Sequence, residues 1–211
     1  MPNPLPADWF NRPSTQVATD LIGCTLARRI NDETIRGQIV ETEAYEAGDP
    51  AMHLYRNKTE RNAVVFGPAG IAYVYRIYRQ YHCFNIVTDR DEFASTILIR
   101  AVHLQSKPSW YKPNRRTTQK KSSPKKPPKP EKLEKIAAGP GKLCRALQID
   151  ELLKGIAIHP DSGLWVEPRP APIADSDITQ TTRIGLSRGA DLPWRWYLSN
   201  SPAVSKRERK R

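Results

Sequence analysis

The sequence has few cysteines and histidines, and each shortage argues against a class of site. The three cysteines, Cys24, Cys83 and Cys144, lie about 60 residues apart. They lack the close pairing that zinc sites or a secreted disulfide framework would show. The four histidines are equally scattered, and no H-x-H or H-E-x-x-H spacing occurs. We therefore expect no metal site.

Long apolar runs and glycine motifs are also missing. No segment approaches the roughly 20 apolar residues that span a bilayer. The amino-terminal stretch MPNPLPADWF lacks the basic and apolar regions of a signal peptide. The 11 glycines form neither a G-x-G-x-x-G nor a P-loop pattern, which argues against a nucleotide cofactor. We expect a soluble intracellular protein without a cofactor or a membrane partner.

Positive charge is abundant but unevenly placed. The 211 residues carry 34 Lys and Arg against 22 Asp and Glu, a net charge of +12. Segment 107–135 has eleven Lys and Arg against two Glu, and residues 206–211 have five against one, so together they hold +13. The rest of the chain is nearly neutral. These runs suit either a solubility or localisation role, or an arm that binds phosphates.

The composition of segment 107–135 predicts a disordered insertion. It has six prolines and almost no aliphatic side chains, so it cannot bury enough surface to offset its ordering entropy. We expect the basic tail to be disordered as well. A chain of this length has room for one substantial core. We therefore predict one domain over 1–204, interrupted by 107–135 and followed by the tail 205–211.

The remaining sequence has the periodicity of a mixed fold. Ser14 is a candidate N-cap for a short helix, and residues 139–149 predict a second helix. Segments rich in β-branched and aromatic residues predict strands at 34–47, 69–78, 94–104, 163–170 and 193–199. Because these strands do not alternate regularly with helices, we predict an α+β fold with a curved, largely antiparallel β-sheet core and peripheral helices.

One predicted strand carries paired carboxylates. In IVETEAYE, alternation puts Ile39, Glu41, Glu43 and Tyr45 on one face. This pattern suits a solvated strand face. The functional alternative is a general base, because nearby aromatic rings desolvate a carboxylate and raise its proton affinity. Alternation alone does not separate Glu41 from Glu43.

A second strand is rich in tyrosine. In YVYRIYRQYHCFN, which covers 73–85, Tyr73 and Tyr75 point to one side and Arg76 and Tyr78 to the other. A plain core would explain Tyr73 or Tyr75. An exposed Tyr78 between two arginines favours a partner with both aromatic faces and phosphates, and nucleic acid has both.

Several blocks of the sequence, in order, resemble the alkyladenine (3-methyladenine) DNA glycosylase family. The blocks are IVETEAYEAGDPAMH, TERNAVVFGPAGIAYVYRIYRQYHCFN, ILIRAV, GPGKLCRALQI and RIGLSRGADLPWRWYLSNSP. The similarity runs from about Pro13 to Pro202, without the basic insertion. Because several blocks follow in order, the resemblance is more specific than any single motif.

The resemblance implies a monofunctional base-excision repair enzyme that acts on double-stranded DNA. Such an enzyme releases alkylated or deaminated purines of the 3-methyladenine type, with hypoxanthine and ethenoadenine as further candidates, and leaves an abasic site. It would work as a monomer without metal or cofactor, in the cytoplasm at the nucleoid of a bacterium or in the nucleus of a eukaryote. No lysine lies in the two strands as a Schiff-base nucleophile.

The resemblance also implies roles for individual residues. Glu43 would activate the water that attacks C1′, and Tyr78 would be the wedge that fills the gap left in the duplex. The base pocket would be formed by Tyr45, His53, Tyr75, Asn85 and Ile184. Asn85 would screen against the 2-amino group of guanine. Basic side chains that support the site or bind DNA would be Arg76, Arg100 and Lys142.

The stretch after Tyr78 departs from the family pattern. Arg79 and Gln80 stand where close relatives have a small and an apolar residue, which puts the range of lesions in doubt more than the reaction. The alternative function is a non-catalytic protein that binds damaged DNA or RNA on the same fold. Loss of base release in Glu43→Gln would distinguish the two.

Overall fold

The computed structural model describes residues 3–52, 58–60, 62–112 and 131–208. Within them, eight strands join in one sheet in which every pair is antiparallel. The strands are β1 (Thr25–Ile30), β2 (Glu33–Tyr45), β3 (Ala72–Ile77), β4 (Tyr81–Val87), β5 (Thr96–Leu104), β6 (Leu164–Glu167), β7 (Ile178–Thr181) and β8 (Arg195–Leu198). The helices are α1 (Ser14–Leu21), α2 (Leu133–Ile136) and α3 (Pro140–Ala146). No helix of these ranges is long and apolar enough to cross a bilayer.

The strand order explains why β2 organises the molecule. The order is β3-β4-β5-β2-β1-β6, and β8 pairs with both β2 and β7. β2 pairs with β1 along its first half, with β8 at Glu41 to Glu43, and with β5 from Gly37 to Tyr45. The α+β prediction with a curled antiparallel sheet is confirmed.

An irregularity in β2 changes which side chains share a face. Ile39 pairs with Val102, but Glu41 pairs with Ala101, so Val40 is an extra residue in the ladder. Ile39 packs in the main core, whereas Val40 packs in a separate small cluster. The prediction that Ile39 shares a face with the two glutamates is therefore wrong, because simple alternation does not continue through a bulge.

Helix α1 is capped by a distant residue. It begins at Ser14 after Pro13, so the prediction of Ser14 as the N-cap is wrong. Oε1 of Glu46 instead accepts hydrogen bonds from Ser14 Oγ at 3.2 Å and from Thr15 N at 3.3 Å and Oγ at 3.1 Å. A carboxylate is favourable at the positive end of a helix. This contact fixes the chain directly after β2.

Both ends of the predicted insertion are folded. Trp110 donates from Nε1 to the carbonyl oxygen of Ala146 at 3.0 Å, and the buried Tyr111 donates its hydroxyl to Glu131 at 2.6 Å. The first three residues of helix α2, 133–135, also lie inside the range predicted to be disordered. For 107–112 and 131–135 the prediction of disorder is wrong, because these residues pack against the body. Residues 113–130 lie outside the described residues.

The start of the tail is also held in place. Ser205 donates its backbone N–H to Glu41 at 2.7 Å and its hydroxyl at 2.9 Å. Lys206 accepts from Arg195 at 2.9 Å, and Glu208 accepts a hydrogen bond from Thr181. The expectation of a disordered tail is therefore wrong for 205–208. Residues 209–211 lie outside the described residues.

Candidate active site

A pocket of about 110 Å³ opens beside β3 and β4. The rings of Tyr73 and Tyr75 lie next to each other in it, with centroids 5.3 Å apart and planes 32° apart. The side chains that line the pocket are those of Tyr45, Ala51, Met52, Tyr73, Tyr75, Asn85, Thr96 and Leu186. An aromatic lining of this kind suits a flat, unsaturated ring.

A buried carboxylate lies directly behind this pocket. Glu43 is fully buried. Its Oε2 accepts a hydrogen bond from the hydroxyl of Tyr45 at 2.9 Å and one from Nη1 of Arg100 at 3.2 Å. Its Oε1 accepts from the backbone N–H of Ile184 at 2.8 Å. Since Tyr45 also lines the pocket, the carboxylate is one hydrogen bond from the pocket wall.

Glu41, the other carboxylate of the strand, has different partners. Its oxygens accept from Arg100 Nε at 2.9 Å, from Arg195 Nη1 at 2.9 Å and from the backbone and hydroxyl of Ser205. None of these three partners lines the pocket. The geometry therefore gives Glu41 a structural environment and Glu43 the position next to the cavity, a difference that strand alternation did not provide.

Arg100 joins the two carboxylates. It is buried, and burial alone lowers the pKa of a guanidinium, but the charges of Glu43 and then Glu41 outweigh burial and leave the pKa of Arg100 raised. Arg100 is therefore a permanent cation that fixes the direction of both carboxylates.

Two of the three tyrosines that line the pocket, Tyr45 and Tyr75, remain protonated. Burial, followed by the charge of Glu43, raises the pKa of Tyr45 far above its ordinary value. Burial and a hydrogen bond with Cys83 do the same for the pKa of Tyr75. Each phenol is therefore a neutral ring that can stack, and Tyr45 is a constant hydrogen-bond donor to Glu43.

Asn85 forms part of the pocket wall. It pairs with Tyr73 across β3 and β4, is buried, and donates from Nδ2 to the carbonyl oxygen of Tyr73 at 3.2 Å. This contact fixes the orientation of the side-chain amide. A fixed amide in the wall can discriminate between purines by the groups at their edges.

Tyr78 stands at the tip of the β3–β4 hairpin and is 85% exposed. Its backbone φ is 46° and that of Arg79 is 61°, and the N–H of Gln80 donates to the carbonyl oxygen of Tyr78 at 2.8 Å. Residues with side chains seldom adopt positive φ. An exposed ring on a strained turn is a common feature of functional sites.

Comparison with known proteins agrees with this geometry. The model of the methylpurine-DNA glycosylase (MPG) family matches residues 8–202. This chain belongs to that family. A protein of Trichodesmium erythraeum named "Putative 3-methyladenine DNA glycosylase" is 52% identical over 94% of this chain and 95% of its own length. A protein of the same name from Synechococcus elongatus is 47% identical over 95% of this chain and 90% of its own length.

As a member of the methylpurine-DNA glycosylase family, the chain is a DNA N-glycosylase. The resemblance noted in the sequence is therefore confirmed. In the described part of the chain, no group of three or more His, Cys, Asp or Glu side chains is arranged to hold a metal ion.

Three of the predicted site residues, Arg76, Lys142 and Ile184, do not line the pocket, and the DNA-binding or supporting role of Arg76 and Lys142 stays a prediction. Arg76 forms an ion pair with Glu151 at 2.6 Å on the surface. Lys142 donates to the carbonyl oxygen of Lys135 at 3.2 Å, near α3. Neither side chain lines the pocket. Ile184 meets Glu43 through its backbone, and the pocket is lined by Leu186 instead. His53 lies outside the described residues.

A buried ion pair that no sequence pattern indicated lies beneath the glycosylase pocket. Arg183 contacts both carboxylate oxygens of Asp49, with Nη2 to Oδ1 at 2.9 Å, and donates to the carbonyl oxygen of Ala44 at 2.9 Å. Its guanidinium carbon lies 4.7 Å from the centre of the Tyr45 ring. It thus supports Tyr45 from behind. Arg183 and Asp49 are 134 positions apart, and no local pattern links them.

Proposed function

We propose that this glycosylase extrudes alkylated or deaminated purines from double-stranded DNA and hydrolyses their N-glycosidic bonds. The observation that carries the proposal is the fully buried carboxylate of Glu43 behind an aromatic pocket. The names of the relatives, which refer to 3-methyladenine, support the same class of lesion. The product is an abasic site in an uncut strand.

Extrusion of the base requires the wedge and the pocket together. A base inside a duplex cannot be reached, and unstacking it costs a few kcal/mol, least for a damaged or mispaired base. The exposed ring of Tyr78 can enter the duplex and restore part of the stacking. The rings of Tyr45 and Tyr75 then stack on the extruded purine. If alkylation has made the purine cationic, this contact contributes about 0.5 to 2 kcal/mol.

Asn85 supplies selection against normal guanine. Its amide nitrogen is engaged with the carbonyl oxygen of Tyr73, so the side chain cannot turn away when a base enters. A purine that carries a 2-amino group would place that group against the fixed amide of Asn85. Adenine-derived lesions and hypoxanthine lack that amino group.

The chemical step uses Glu43 as a general base. The bond between C1′ and the purine nitrogen breaks, and its electron pair leaves with the base. The sugar becomes oxocarbenium-like, a water oxygen attacks C1′, and Glu43 accepts the water proton. Arg100, Tyr45 and the N–H of Ile184 hold the carboxylate in one orientation. This hydrolysis needs no metal and no organic cofactor.

We further propose that the enzyme works as a monomer in the cytoplasm, at the nucleoid. A single chain supplies the wedge, the pocket wall and the carboxylate, so the site is complete without a partner subunit. The relatives come from organisms such as Trichodesmium and Synechococcus, whose DNA is not enclosed in a nucleus.

The decisive test is base release by Glu43→Gln. Duplexes carrying 3-methyladenine, 7-methylguanine, hypoxanthine or ethenoadenine are incubated with the wild type and the variant, and the freed base is measured. Because the amide cannot accept the water proton, we expect the rate to fall about 10²- to 10⁴-fold. Binding to lesion DNA, measured by gel shift, should persist.

A matched control lies on the same strand. Glu33 is a partly exposed residue at the other end of β2, and its carboxylate accepts a hydrogen bond from Ser109 N at 3.1 Å. Glu33→Gln removes the same charge and should retain the wild-type rate. The proposal would be refuted if the wild type released none of the four bases, or if Glu43→Gln released them at the wild-type rate.

A further inference from the structure

A second cavity, of about 280 Å³, lies between the β3–β4 hairpin and helix α3. Its polar lining consists of Gln80, His82, Arg145, Gln148 and Asp150. None of these residues belongs to the base pocket described above. The cavity includes Gln80, one of the two positions at which the sequence departs from the family pattern.

The two cavities lie on opposite sides of the wedge hairpin. Residues paired across an antiparallel ladder share a face, and successive pairs alternate. The pair Tyr73 and Asn85 lines the base pocket. The pair Arg76 and His82, three positions along, belongs to the other face, and His82 lines the second cavity. If Tyr78 fills the gap in the duplex, the extruded nucleotide and the opposite strand lie on different sides of this hairpin.

The second cavity presents hydrogen-bonding groups without partners. The side-chain amides of Gln80 and Gln148 are exposed, and neither has a hydrogen bond to any residue in the described ranges 3–52, 58–60, 62–112 and 131–208. An amide side chain offers both a donor and an acceptor. The base left opposite an extruded purine likewise exposes donors and acceptors on the edge that was paired.

Charge in the cavity is fixed in place. The guanidinium of Arg145 donates to the hydroxyl of Tyr111 at 3.0 Å and lies 5.6 Å from the centre of its ring. Asp150 accepts from the backbone N–H of Leu152 at 2.9 Å, so its carboxylate is used within its own turn. A cavity that holds one cation and one anion beside free amides suits the polar edge of a base.

Of the six non-glycine residues with positive φ in the described part of the chain, three lie in the hairpin or at the helix end that border this cavity. Gln148 has a φ of 48° and follows Leu147, the C-cap of α3, at a position where glycine is usual. Tyr78 and Arg79 have φ values of 46° and 61°. Strained residues persist where surrounding structure or function requires them. Gln148 therefore carries a side chain at a backbone position that glycine would adopt without strain.

We propose that this second cavity receives the unpaired base opposite the lesion, and that Gln148 and Gln80 hydrogen-bond its exposed edge. The inference rests on the proposed function. It assigns the cavity to the DNA strand opposite the lesion, which the base pocket does not contact. The enzyme would then sense the nucleotide opposite the lesion, and not only the lesion itself.

The test combines a protein change with a DNA change. Hypoxanthine is placed opposite thymine, cytosine or a tetrahydrofuran that lacks a base, and kcat/KM for base release is measured for each duplex. The ratio of the value opposite a pyrimidine to that opposite tetrahydrofuran is then compared between the wild type and Gln148→Gly. Because the variant cannot hydrogen-bond the opposite base, we expect this ratio to fall about 3- to 10-fold. Gln80→Ala should lower it in the same direction.

Gln148→Gly is well suited to this test because glycine prefers the φ of 48° found there, so the fold is retained. Asn31→Gly is the matched control. Asn31 is exposed, has a φ of 51° and lies in the β1–β2 turn, and its change should leave the ratio at the wild-type value. An unchanged ratio in Gln148→Gly with an active enzyme would overturn the cavity proposal alone. Failure of the wild type to release hypoxanthine from any of the three duplexes would overturn the cavity proposal, and failure to release any of the four lesion bases would overturn the proposed function as well.

Discussion

Arg79 adopts a backbone conformation that suits glycine. Its φ of 61° costs a residue with a side chain about 1 to 2 kcal/mol. Its side chain is exposed and makes no hydrogen bond or ion pair within the described residues. We expect Arg79→Gly to raise the free energy of unfolding by about 0.5 to 1 kcal/mol, since relief of strain exceeds the entropy that glycine adds to the unfolded chain. Urea denaturation measures this change.

A neighbouring residue provides the contrast for Arg79. Arg76 lies in β3 and forms an ion pair with Glu151. Arg76→Gly should lower the free energy of unfolding, because glycine weakens a strand and the ion pair is removed. A decrease for Arg79→Gly of the same size would show that the turn is not strained.

Single residues were predictable to different degrees. Tyr45, Tyr75 and Asn85 line one pocket and Glu43 bonds to Tyr45, while the roles that the resemblance implies for them stay predictions. The choice between Glu41 and Glu43 was not predictable from alternation, because both carboxylates are fully buried and only their partners differ. The contact of Arg183 with Tyr45 was also not predictable, because a contact between distant positions has no local pattern in a single sequence.

Elements were predicted best where one pattern applied throughout. The strands expected at 94–104 and 193–199 match β5 and β8 closely. β4 was missed because it is buried on both faces from Cys83 to Val87, and a doubly buried strand shows no alternation. β1 and β7 were also missed, and β7 has only four residues. The bulge at Val40 was not foreseen, since an extra residue in a ladder depends on the partner strand.

The C-terminal segment 205–208 supports strand β2, which carries Glu41 and Glu43. Ser205 supplies two hydrogen bonds to the buried Glu41. We expect truncation after Val204 to lower the free energy of unfolding by about 1 to 3 kcal/mol, because it leaves a buried carboxylate oxygen without its donor. Denaturant unfolding of the truncated chain measures the decrease.

Truncation after Glu208 is the control for the loss of positive charge at the C-terminal end. It removes Arg209, Lys210 and Arg211 but keeps residues 205–208 with their hydrogen bonds to the body. We expect its stability to match that of the full chain. Equal stability of the two truncated chains would contradict the structural role of the segment.

At the scale of the whole molecule, composition locates the positive charge but predicts a disordered insertion that is too long at both ends. The prediction for 107–135 depends on the average content of proline and lysine over the whole range. Trp110 and Tyr111 lie at its start, yet they pack against α3 and Glu131. Two aromatic residues are enough to hold a short segment, because each can bury about 150 to 250 Å². A segment average conceals such anchors.

Segment 113–130 allows the phosphate-binding role to be tested on its own. It holds seven cations and no carboxylate, so replacing the seven by glutamine removes charge without changing length. If these side chains bind phosphates, the slope of log K against log salt for lesion DNA should become shallower by about 0.9 for each phosphate that is no longer neutralised. The affinity at low salt should fall with it. Fluorescence anisotropy over a range of NaCl concentrations measures both.

The same replacement at Arg209, Lys210 and Arg211 shows whether any cationic segment has this effect. These three residues lie in the second positive run of the chain, and their change also leaves the length unaltered. A shallower slope in the seven-residue variant, together with an unchanged slope in the tail variant, would assign the DNA contact to segment 113–130. An unchanged slope in the seven-residue variant would contradict DNA contact and leave solubility or localisation as the role of the segment.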